Sequence, residues 1–408
     1  MRAEYPGYCE MKILVALTYY RPHVSGLTVY VQRIAEEFAS RGFPVTVLTS
    51  QYSRSLQRAE SLGGVRVVRI PVAFRISKGV ITPSFLKIAA PLVRKHDVVM
   101  VNLPCTPAEA MILPLLARRM GRPIVATYHC DVRLPHGPFN SLVEKTVRMA
   151  NFCCGKIVDR IIAYTSDYAN SVSLLTRYHS KRCVIPPPVR MAIPDPIRIA
   201  EFRREHGMNG GPLLAFAARF AAEKGVEFML QALPIIRKTH PEARVLFAGE
   251  YHEVVGEQRH WRRLQPGLAE ATSHWRFLGT LAPAEMAEFF SACDVTVLPS
   301  INSTESFGLV QVESMLCGTP VVASDLPGVR VPILTTGMGR IVPPADSAAL
   351  AEAICEVIQN RVHYIRPRSL IEAKYSTAAT ADAYLALFQQ LLDERVRANR
   401  PWPSEGVA

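Results

Sequence analysis

The sequence has no pair of cysteines at the Cys-x-x-Cys spacing, although it contains nine cysteines in all. No cysteines and histidines stand at the spacings of zinc ligands, which excludes the common structural zinc site. We therefore expect reduced thiols that pack as small apolar side chains in a cytosolic protein.

Long apolar stretches are also missing, because no window of about 18 residues is free of both proline and charge. This excludes a membrane-spanning helix. Residues 1–10 are polar and lack the apolar segment of a signal peptide, so we expect no secretory signal. We expect the first strand to begin at Met11, with residues 1–10 as a loose extension or a misassigned start.

The sequence does have length and positive charge. Its 408 residues are too many for one ordinary domain and suggest two. The 47 basic and 35 acidic residues give a net charge of +12, which favours nucleic acid, an anionic membrane surface or a phosphorylated small molecule as partner. The basic residues are scattered without a long tail or a recognisable nucleic-acid-binding module, so we expect no nucleic acid partner.

Short apolar segments alternate with helical patterns along the chain, which is typical of α/β domains with doubly wound parallel sheets. Strands are predicted at residues 12–20, 44–50, 65–72, 97–104, 123–131 and 159–166, and again at 213–219, 243–250, 275–281, 295–300 and 319–324. Helices are predicted at residues 29–42, 108–121, 224–239, 283–292, 308–317 and 377–397.

Three consecutive prolines within residues 184–189 interrupt this alternation and predict a linker. We expect a first Rossmann-like domain at residues 1–187 and a second at 188–370. The helical stretch 371–397 is expected to pack back on the first domain. Ligands of such sheets bind at the carboxyl ends of the strands, so we expect the site in a cleft between the domains.

Two loops that follow predicted strands carry candidate binding groups. In "YYRPHVSGLTVYV", Gly26 would let backbone amides at a helix start approach an anion, although this glycine taken alone favours an ordinary turn. In "ARFAAEKG", Arg219 and Lys224 can reach over a strand end and suit a diphosphate. Taken alone, this spacing favours two solvated surface cations.

A third loop, "ESFGLVQVE", places two carboxylates eight residues apart, at Glu305 and Glu313. The amides of residues 307–309, Phe307, Gly308 and Leu309, would lie at a helix N-terminus that attracts phosphate. The carboxylates could accept hydrogen bonds from sugar hydroxyls. Two unrelated surface acids remain the alternative for this spacing alone.

Together these motifs resemble the retaining glycosyltransferases of family 4, whose two Rossmann-like domains face each other across a cleft in the GT-B fold. "ESFGLVQVESMLCGTPVVAS" carries the family's two acids and its G-x-P-V-V strand, and "RFAAEKG" its phosphate loop. "YYRPHVSGLTVYV" is similar to the N-terminal glycine loop, and "TYHCD" to the family's histidine segment. The resemblance extends from Met11 to about residue 392.

The resemblance implies a role for each matching residue. Glu313 would hold the ribose hydroxyls of a nucleotide sugar, and Glu305 a hydroxyl of the transferred sugar. Arg219 and Lys224 would neutralise the departing diphosphate. His129 would lie over the donor sugar, although a hydrogen-bonded core histidine is an equal alternative for this residue alone.

The remaining implied contacts are made by backbone groups. The amides of Phe307, Gly308 and Leu309 would contact the donor sugar and phosphates, and Gly26 would let the first loop approach the phosphates. Ser25 departs from the family pattern, which usually has a glycine there. The segment after Gly249 also lacks the usual second glycine, which puts contacts to the base in doubt.

The reaction implied is transfer of a sugar from a nucleotide-diphosphate sugar to a hydroxyl of a glycan or lipid-linked acceptor, with retention of configuration. No metal is implied, and no Asp-x-Asp metal signature is present. No separate cofactor is expected, and a UDP-sugar is favoured over a GDP-sugar. We expect a role in cell-envelope or exopolysaccharide synthesis. The alternative is a GT-B sugar-nucleotide epimerase or hydrolase, which needs no acceptor.

The segment 82–97 combines apolar residues with lysine and arginine, as does a helix that lies on an anionic membrane. With the positive net charge, this suggests a cytoplasmic enzyme held on the inner face of the cell membrane. A helix packed on the sheet, with solvated lysines, is the alternative.

Overall fold

The computed structural model describes residues 11–76, 79–133, 137–207, 210–254 and 256–398, which form two compact units. Unit 1 contains the described residues up to Pro188 and those from Thr377 onward, and unit 2 runs from Val189 to Ser376. The first boundary falls in the proline-rich segment. The expected extension at residues 1–10 lies outside the described residues.

Unit 1 is built on a sheet of eight strands among its described residues, in the order β10-β9-β8-β7-β1-β2-β4-β3. Neighbouring strands are parallel except for β3 and β4. The strands of unit 1, which include the separate hairpin β5/β6, are β1 (Ile13–Ala16), β2 (Val45–Gln51), β3 (Ala59–Leu62), β4 (Val65–Pro71), β5 (Phe74–Ile76), β6 (Gly79–Ile81), β7 (Val98–Leu103), β8 (Ile124–Tyr128), β9 (Arg160–Ala163) and β10 (Arg182–Val184).

Helices cover the sheet of unit 1, and its central strands β1, β7 and β8 are therefore buried along their whole length. The helices before the linker are α1 (Gly26–Ser40), α2 (Phe85–Lys95), α3 (Pro107–Arg119), α4 (Pro138–Ile157), α5 (Ser166–Ser171) and α6 (Ser173–Arg177). The start of α3 is fixed by a capping box, in which Thr106 and Glu109 each bond the other's backbone amide.

Unit 2 repeats this design with a fully parallel sheet of six strands among the residues described, in the order β13-β12-β11-β14-β15-β16. Its strands are β11 (Leu213–Ala217), β12 (Arg244–Ala248), β13 (Trp275–Gly279), β14 (Val295–Leu298), β15 (Val321–Ser324) and β16 (Gly339–Val342). Its helices are α7 (Pro196–Gly207), α8 (Val226–Thr239), α9 (Gln258–Glu270), α10 (Pro283–Ala292), α11 (Leu309–Leu316), α12 (Val331–Thr336), α13 (Ser347–Gln359), α14 (Arg361–Tyr364) and α15 (Arg368–Tyr375).

The predicted class, two doubly wound α/β domains with parallel sheets, is confirmed. In each sheet the strand order reverses about one central strand, β1 in unit 1 and β11 in unit 2. Loops after the strands on both sides of this reversal lie at the carboxyl edge of the sheet, where ligands of doubly wound folds bind. In unit 2 these loops follow β11 and β14.

The C-terminal helical stretch, expected at residues 371–397, is two helices. The chain turns at Ser376, where an extended backbone separates α15 from the long final helix α16 (Thr377–Ala398). Helix α16 belongs to unit 1, where it packs against α1.

The proposed membrane helix, α2, is a core helix. Its apolar residues Phe85, Ala89, Leu92 and Val93 are buried in unit 1, and of its large apolar side chains Leu86 is exposed. The apolar face required for a membrane surface is therefore already used. No helix in the described part of the chain is long and apolar enough to cross a bilayer.

Candidate functional site

The loops after β11 and β14 touch through their backbones in unit 2. A Cβ atom on Gly225, whose φ is +71°, would lie 1.9 Å from the carbonyl oxygen of Pro299. Only glycine permits this approach. The amide of Ile301 also donates to the carbonyl oxygen of Glu223 at 3.0 Å. The two loops therefore form one rigid surface at the carboxyl edge of the sheet.

The loop after β12 joins the same surface. The amides of Ala218 and Phe220 donate to the carbonyl oxygens of Ala248 and Glu250, at 3.0 and 2.7 Å. The segment after Gly249, which departs from the family pattern, thus supports the loop that carries Arg219.

An ion pair connects the first two loops. Lys224 donates from Nζ to Glu305 Oε2 at 2.5 Å, although 81 residues separate them. The other carboxylate oxygen, Oε1, accepts the amide hydrogen of Gly308 at 3.0 Å. Glu305 therefore links the lysine to the N-terminus of α11. The two side chains are 23% and 15% exposed, so solvent or a ligand can reach them.

The charge of Lys224 is maintained by its neighbours. Burial by itself lowers the pKa of the amine, but the charge and hydrogen bond of Glu305, with the charge of Glu223, outweigh it and raise the pKa above its ordinary value. The lysine is protonated at neutral pH and provides a fixed positive charge.

A second ion pair lies beside the first. Arg219 donates from Nη2 to Glu223 Oε1 at 2.9 Å. Arg219 is close enough to Lys224 that its positive charge opposes the rise in the lysine pKa. The two predicted cations are therefore neighbours, each held by a carboxylate.

The turn before α11 is tightly packed. Gly308 has a φ of +76°, and a Cβ atom there would lie 2.4 Å from the side chain of Leu298. The side chain of Gln311 donates to the carbonyl oxygens of Phe307 and Val329, at 2.8 and 2.9 Å. The Phe307 ring is buried against Tyr375, so its backbone is the part suited to contact a ligand.

Leu309 and Glu313 lie one helical turn apart on the same, partly exposed face of α11. Gln311, Val312 and Ser314, on the other side of the helix, are buried. The structure thus places the second acid of the motif on the accessible side of the helix.

In unit 1, Gly26 is the first residue of α1, and Ser25 is its N-cap, accepting the Thr28 amide at 3.2 Å. A side chain at Gly26 would meet no heavy atom within 4 Å. Ser25, which replaces a family glycine, therefore fixes the start of the helix and leaves space in front of Gly26.

His129 follows β8 and is 4% exposed. Its Nε2 donates to Asn102 Oδ1 at 2.8 Å, since Asn102 directs its amide nitrogen to the Ala16 carbonyl oxygen. Its Nδ1 then accepts from the Tyr164 hydroxyl. Burial lowers the pKa of the imidazole to about 3, so the ring is neutral. A contact with a sugar would require one of these hydrogen bonds to be exchanged.

The His129 ring belongs to a larger buried network. The Tyr30 ring lies edge-on to it with 4.8 Å between centroids, and stacks on Tyr164. The Tyr30 hydroxyl bonds the Tyr384 hydroxyl at 2.7 Å, which in turn bonds Thr127 Oγ1 at 2.8 Å. The network joins α1, β8 and α16 within unit 1.

Sequence reasoning missed Glu223 and Gly225, the residues that hold the two loops of unit 2 together. Both stand in the quoted "EKG" segment, but their partners lie more than 70 residues away and leave no local signal. In the described chain, no group of three or more histidine, cysteine or acidic residues is arranged to hold a metal ion. None of the eight cysteines described forms a disulfide.

Two solved structures show which fold this chain has. The Anabaena protein HepE, determined with UDP and glucose, superposes with a TM-score of 0.75 at 18% identity, covering 93% of this chain and all of that one. Sucrose-phosphate synthase from Thermosynechococcus elongatus gives a TM-score of 0.74 at 20% identity, covering 94% of this chain and 100% of that chain. The fold is that of the GT-B glycosyltransferases.

Two family models match, one in each half of the chain. Residues 24–192 match Glycosyltransferase Family 4, and residues 198–377 match Glycosyl transferases group 1. The chain belongs to the family 4 glycosyltransferases, and the expectation of a glycosyltransferase is confirmed.

Curated relatives match over most of their length. The D-inositol 3-phosphate glycosyltransferase of Acidothermus cellulolyticus is 28% identical over 397 residues, which cover 91% of this chain and 86% of the relative. The phosphatidyl-myo-inositol mannosyltransferase of Mycobacterium leprae is 27% identical over 376 residues, covering 89% and 92%.

Proposed function

We propose that this protein is a retaining, metal-independent glycosyltransferase that uses a nucleoside-diphosphate sugar as its donor. It would prefer a UDP-sugar to a GDP-sugar, and it would transfer the sugar to a hydroxyl of a lipid-linked or glycan acceptor. The observation that carries the proposal is the Lys224–Glu305 ion pair, bonded to the Gly308 amide where the strand order of unit 2 reverses. A cation, a carboxylate and helix N-terminal amides suit a sugar diphosphate.

The chemistry follows from where charge develops. When the bond from the sugar carbon to the diphosphate oxygen breaks, the diphosphate gains negative charge and the sugar ring becomes positive. Lys224 and Arg219 would stabilise the diphosphate, together with the amide of Leu309 and, once it exchanges Glu305 for the donor, the amide of Gly308. Because these groups are already positioned, little reorganisation is needed, and such electrostatic stabilisation is often the largest contribution to catalysis.

Glu305 serves two purposes in this mechanism. In the free protein it keeps Lys224 protonated and oriented, and with donor bound its carboxylate would accept a hydroxyl hydrogen bond from the sugar. Glu313 would accept hydrogen bonds from the ribose hydroxyls. The acceptor hydroxyl would attack the face from which the diphosphate departs and pass its proton to the leaving phosphate oxygen, giving retention.

The acceptor is proposed to lie at an anionic membrane, on an exposed face of unit 1 formed by α3 and α4. Phe139, Leu142 and Met149 of α4 are 57%, 63% and 67% exposed and lie at helical spacing on one side. Lys145 and Arg148 of the same helix are exposed beside them. Apolar side chains flanked by cations suit the surface of an anionic bilayer.

Helix α3 extends this face with the same chemistry. Met111 and Leu115 are exposed, as are Arg118 and Arg119 at the end of the helix. Met111 and Met149 line a shared cavity of about 340 Å³ between the two helices. A phosphatidyl-myo-inositol mannosyltransferase among the relatives, by its name, acts on a lipid, which further supports a lipid-linked acceptor.

A calorimetric screen with UDP-, GDP- and ADP-sugars tests the donor assignment. Glu313→Ala should lose nucleotide binding, and Arg219→Ala should lose turnover more than donor affinity. Glu352→Ala removes an exposed acid of unit 2 outside the site and is the matched control. If the Glu313 and Arg219 variants both behaved as wild type, the site would be wrong. Fast nucleoside diphosphate release without an acceptor would favour the hydrolase alternative.

Co-sedimentation with vesicles tests the acceptor surface. The protein should bind vesicles that contain phosphatidylglycerol and not phosphatidylcholine alone, and Phe139→Ser/Leu142→Ser should abolish binding. Leu334→Ser/Val362→Ser, which changes two exposed apolar residues of unit 2, should leave binding intact. Equal binding by both double variants would remove this surface from the proposal.

A further inference from the structure

A second cavity lies in unit 1 at the amino edge of the sheet, opposite to the edge from which the β1 and β8 loops leave. Its volume is about 680 Å³, and it opens where strands β1, β2, β4, β7 and β8 begin. Neither the proposed reaction nor the α3/α4 face uses it. Six of the lining residues determine its charge and polarity: Lys12, Arg66, Arg94, Lys95, His96 and Arg122.

The carboxylate that lines the cavity, Asp97, is fully occupied. Its Oδ2 accepts the backbone amide hydrogen of Lys12 at 2.9 Å, and its Oδ1 accepts from Arg122 Nη1 at 3.3 Å. The other terminal nitrogen of Arg122 donates to the carbonyl oxygen of Arg94 at 2.9 Å. Asp97 therefore fixes the strand ends and one guanidinium.

The other cations that line the cavity are not paired with a carboxylate. Within the described parts of the chain, no carboxylate lies within ion-pair distance of the side chains of Lys12, Arg66, Arg94 and Lys95, and all four are exposed at the cavity. They come from three segments that are distant in sequence, since Arg94 and Lys95 are adjacent at the end of α2. Like charges brought together in a concave site attract an anion strongly, because the low-dielectric walls focus their field.

The floor of the cavity is polar and neutral. His96 donates from Nδ1 to the Leu92 carbonyl oxygen at 2.7 Å, and its Nε2 accepts from Thr46 Oγ1 at 2.9 Å. Burial lowers the pKa of the imidazole, and the charges of Arg66 and Lys12 lower it further, against the opposing effects of Leu92 and Asp97. The floor therefore adds no negative charge to oppose an anion.

We propose that this cavity binds a small polyanion that carries two or more phosphate groups. A single monovalent anion could pair with only some of the four uncompensated cations. A chain of phosphates could pair with all four. The concave shape and the absence of an exposed apolar ridge on the neighbouring α2 favour a small molecule over a flat membrane. The site does not depend on the proposed donor chemistry in unit 2.

Calorimetric titration with inorganic tripolyphosphate in metal-free buffer tests the proposal. Wild type should bind it, and Arg66→Gln/Lys95→Gln should bind it at least tenfold more weakly or lose one site of two. Lys238→Gln/Arg262→Gln removes two exposed cations of unit 2 and should leave this binding unchanged. Arg66 and Lys95 are exposed, and equal thermal unfolding temperatures would show that the variants fold.

Other outcomes would overturn the cavity assignment. One is absence of tripolyphosphate binding to wild type, and another is unchanged binding to the cavity variant. An equal loss of binding in the Lys238/Arg262 control would indicate general charge attraction. Loss of all tripolyphosphate binding in Lys224→Met would place the ligand at the donor loops instead. None of these results decides whether UDP-sugars bind unit 2, so the two proposals fail independently.

Discussion

The carboxyl edges of the two sheets carry polar side chains in opposite states. In unit 2, Lys224 and Glu305 are charged, partly exposed and paired with each other. In unit 1, His129, Tyr30 and Tyr384 are uncharged and buried, and hydrogen bonds join His129 to Tyr164 and Tyr30 to Tyr384. The ion pair of unit 2 can exchange a protein partner for a ligand at a small cost in free energy. In the network of unit 1, the same exchange would leave buried polar atoms without a hydrogen bond.

This difference separates two kinds of contribution to one enzyme. Charged groups at the surface of unit 2 supply electrostatic stabilisation, and the network of unit 1 fixes the positions of α1, β8 and α16. Changes in unit 2 should therefore alter turnover at constant stability, and changes in the network should alter stability first. Four variants test this difference between the two units.

The largest effect is expected for Lys224→Met. Loss of one preorganised charge at the leaving diphosphate should lower kcat by about 10²–10³-fold, as for other groups that stabilise transition-state charge. Steady-state kinetics with the donor found in the screen provide the measurement. Lys238→Met, an exposed lysine late in α8, is the control and should retain wild-type kcat. A Lys224 variant with kcat within threefold of wild type would contradict the mechanism.

A smaller but still large effect, on stability, is expected for Tyr384→Phe. The variant loses hydrogen bonds to Tyr30 and Thr127 and leaves both partners buried, which should cost about 1–3 kcal/mol in the free energy of unfolding of unit 1. Urea unfolding gives the value. Tyr364→Phe, which loses one partly exposed hydrogen bond to Glu356 in unit 2, should cost less. Equal costs would argue against a cooperative network.

The stability of unit 1 should fall with acid because of His129. Its pKa is lowered from 6.5 to about 3 in the folded protein, so the unfolded chain binds more protons between these values. The stability that His129 contributes is complete above pH 6.5 and is lost as pH falls towards 3. The loss amounts to about 2 kcal/mol at pH 5. Urea unfolding at pH 7 and pH 5 should therefore show a shallower pH dependence in His129→Gln than in wild type. Parallel pH dependences would show that His129 is not held neutral.

The subtlest effect is a shift in the pH profile of Glu305→Gln. Glutamine can still accept the Gly308 amide hydrogen, but it removes the negative charge that raises the pKa of Lys224 against the effect of burial. The lysine should then lose its proton at lower pH, and the alkaline decline of kcat should move to lower pH. An unmoved alkaline decline would mean that Lys224 is not the titrating group.

In unit 2 the sequence predicted the strands β11 to β15 and the helices α8, α10 and α11, where the local signals agree, but it did not predict the strand β16 or helices such as α9 and α13. Apolar strands end just before Arg219 and before the loop that contains Glu305, and a glycine precedes the helix that carries Glu313. The contact of Lys224 with Glu305 could not be predicted, since it depends on the order of strands β11 and β14 in the sheet. The resemblance to the family 4 glycosyltransferases, and not the spacing of the residues, predicted that the two loops belong to one site.

Unit 1 shows where sequence patterns become ambiguous. The apolar face of α2 fits a membrane or a core equally, and tertiary packing decides for the core. Helix α4 was not predicted, because exposed Phe139, Leu142 and Met149 obscure its amphipathic pattern. The burial of His129 depends on Tyr164, which stands 35 residues away, and on the Asn102 amide of a neighbouring strand. No local pattern carries that information.

Calorimetric titration of UDP into wild type, Lys224→Met and His129→Gln tests the contrast between the two edges most directly. We expect binding at one site in wild type, at least tenfold weaker binding to Lys224→Met, and nearly unchanged binding to His129→Gln at pH 7. Unchanged affinity in Lys224→Met together with lost affinity in His129→Gln would contradict it.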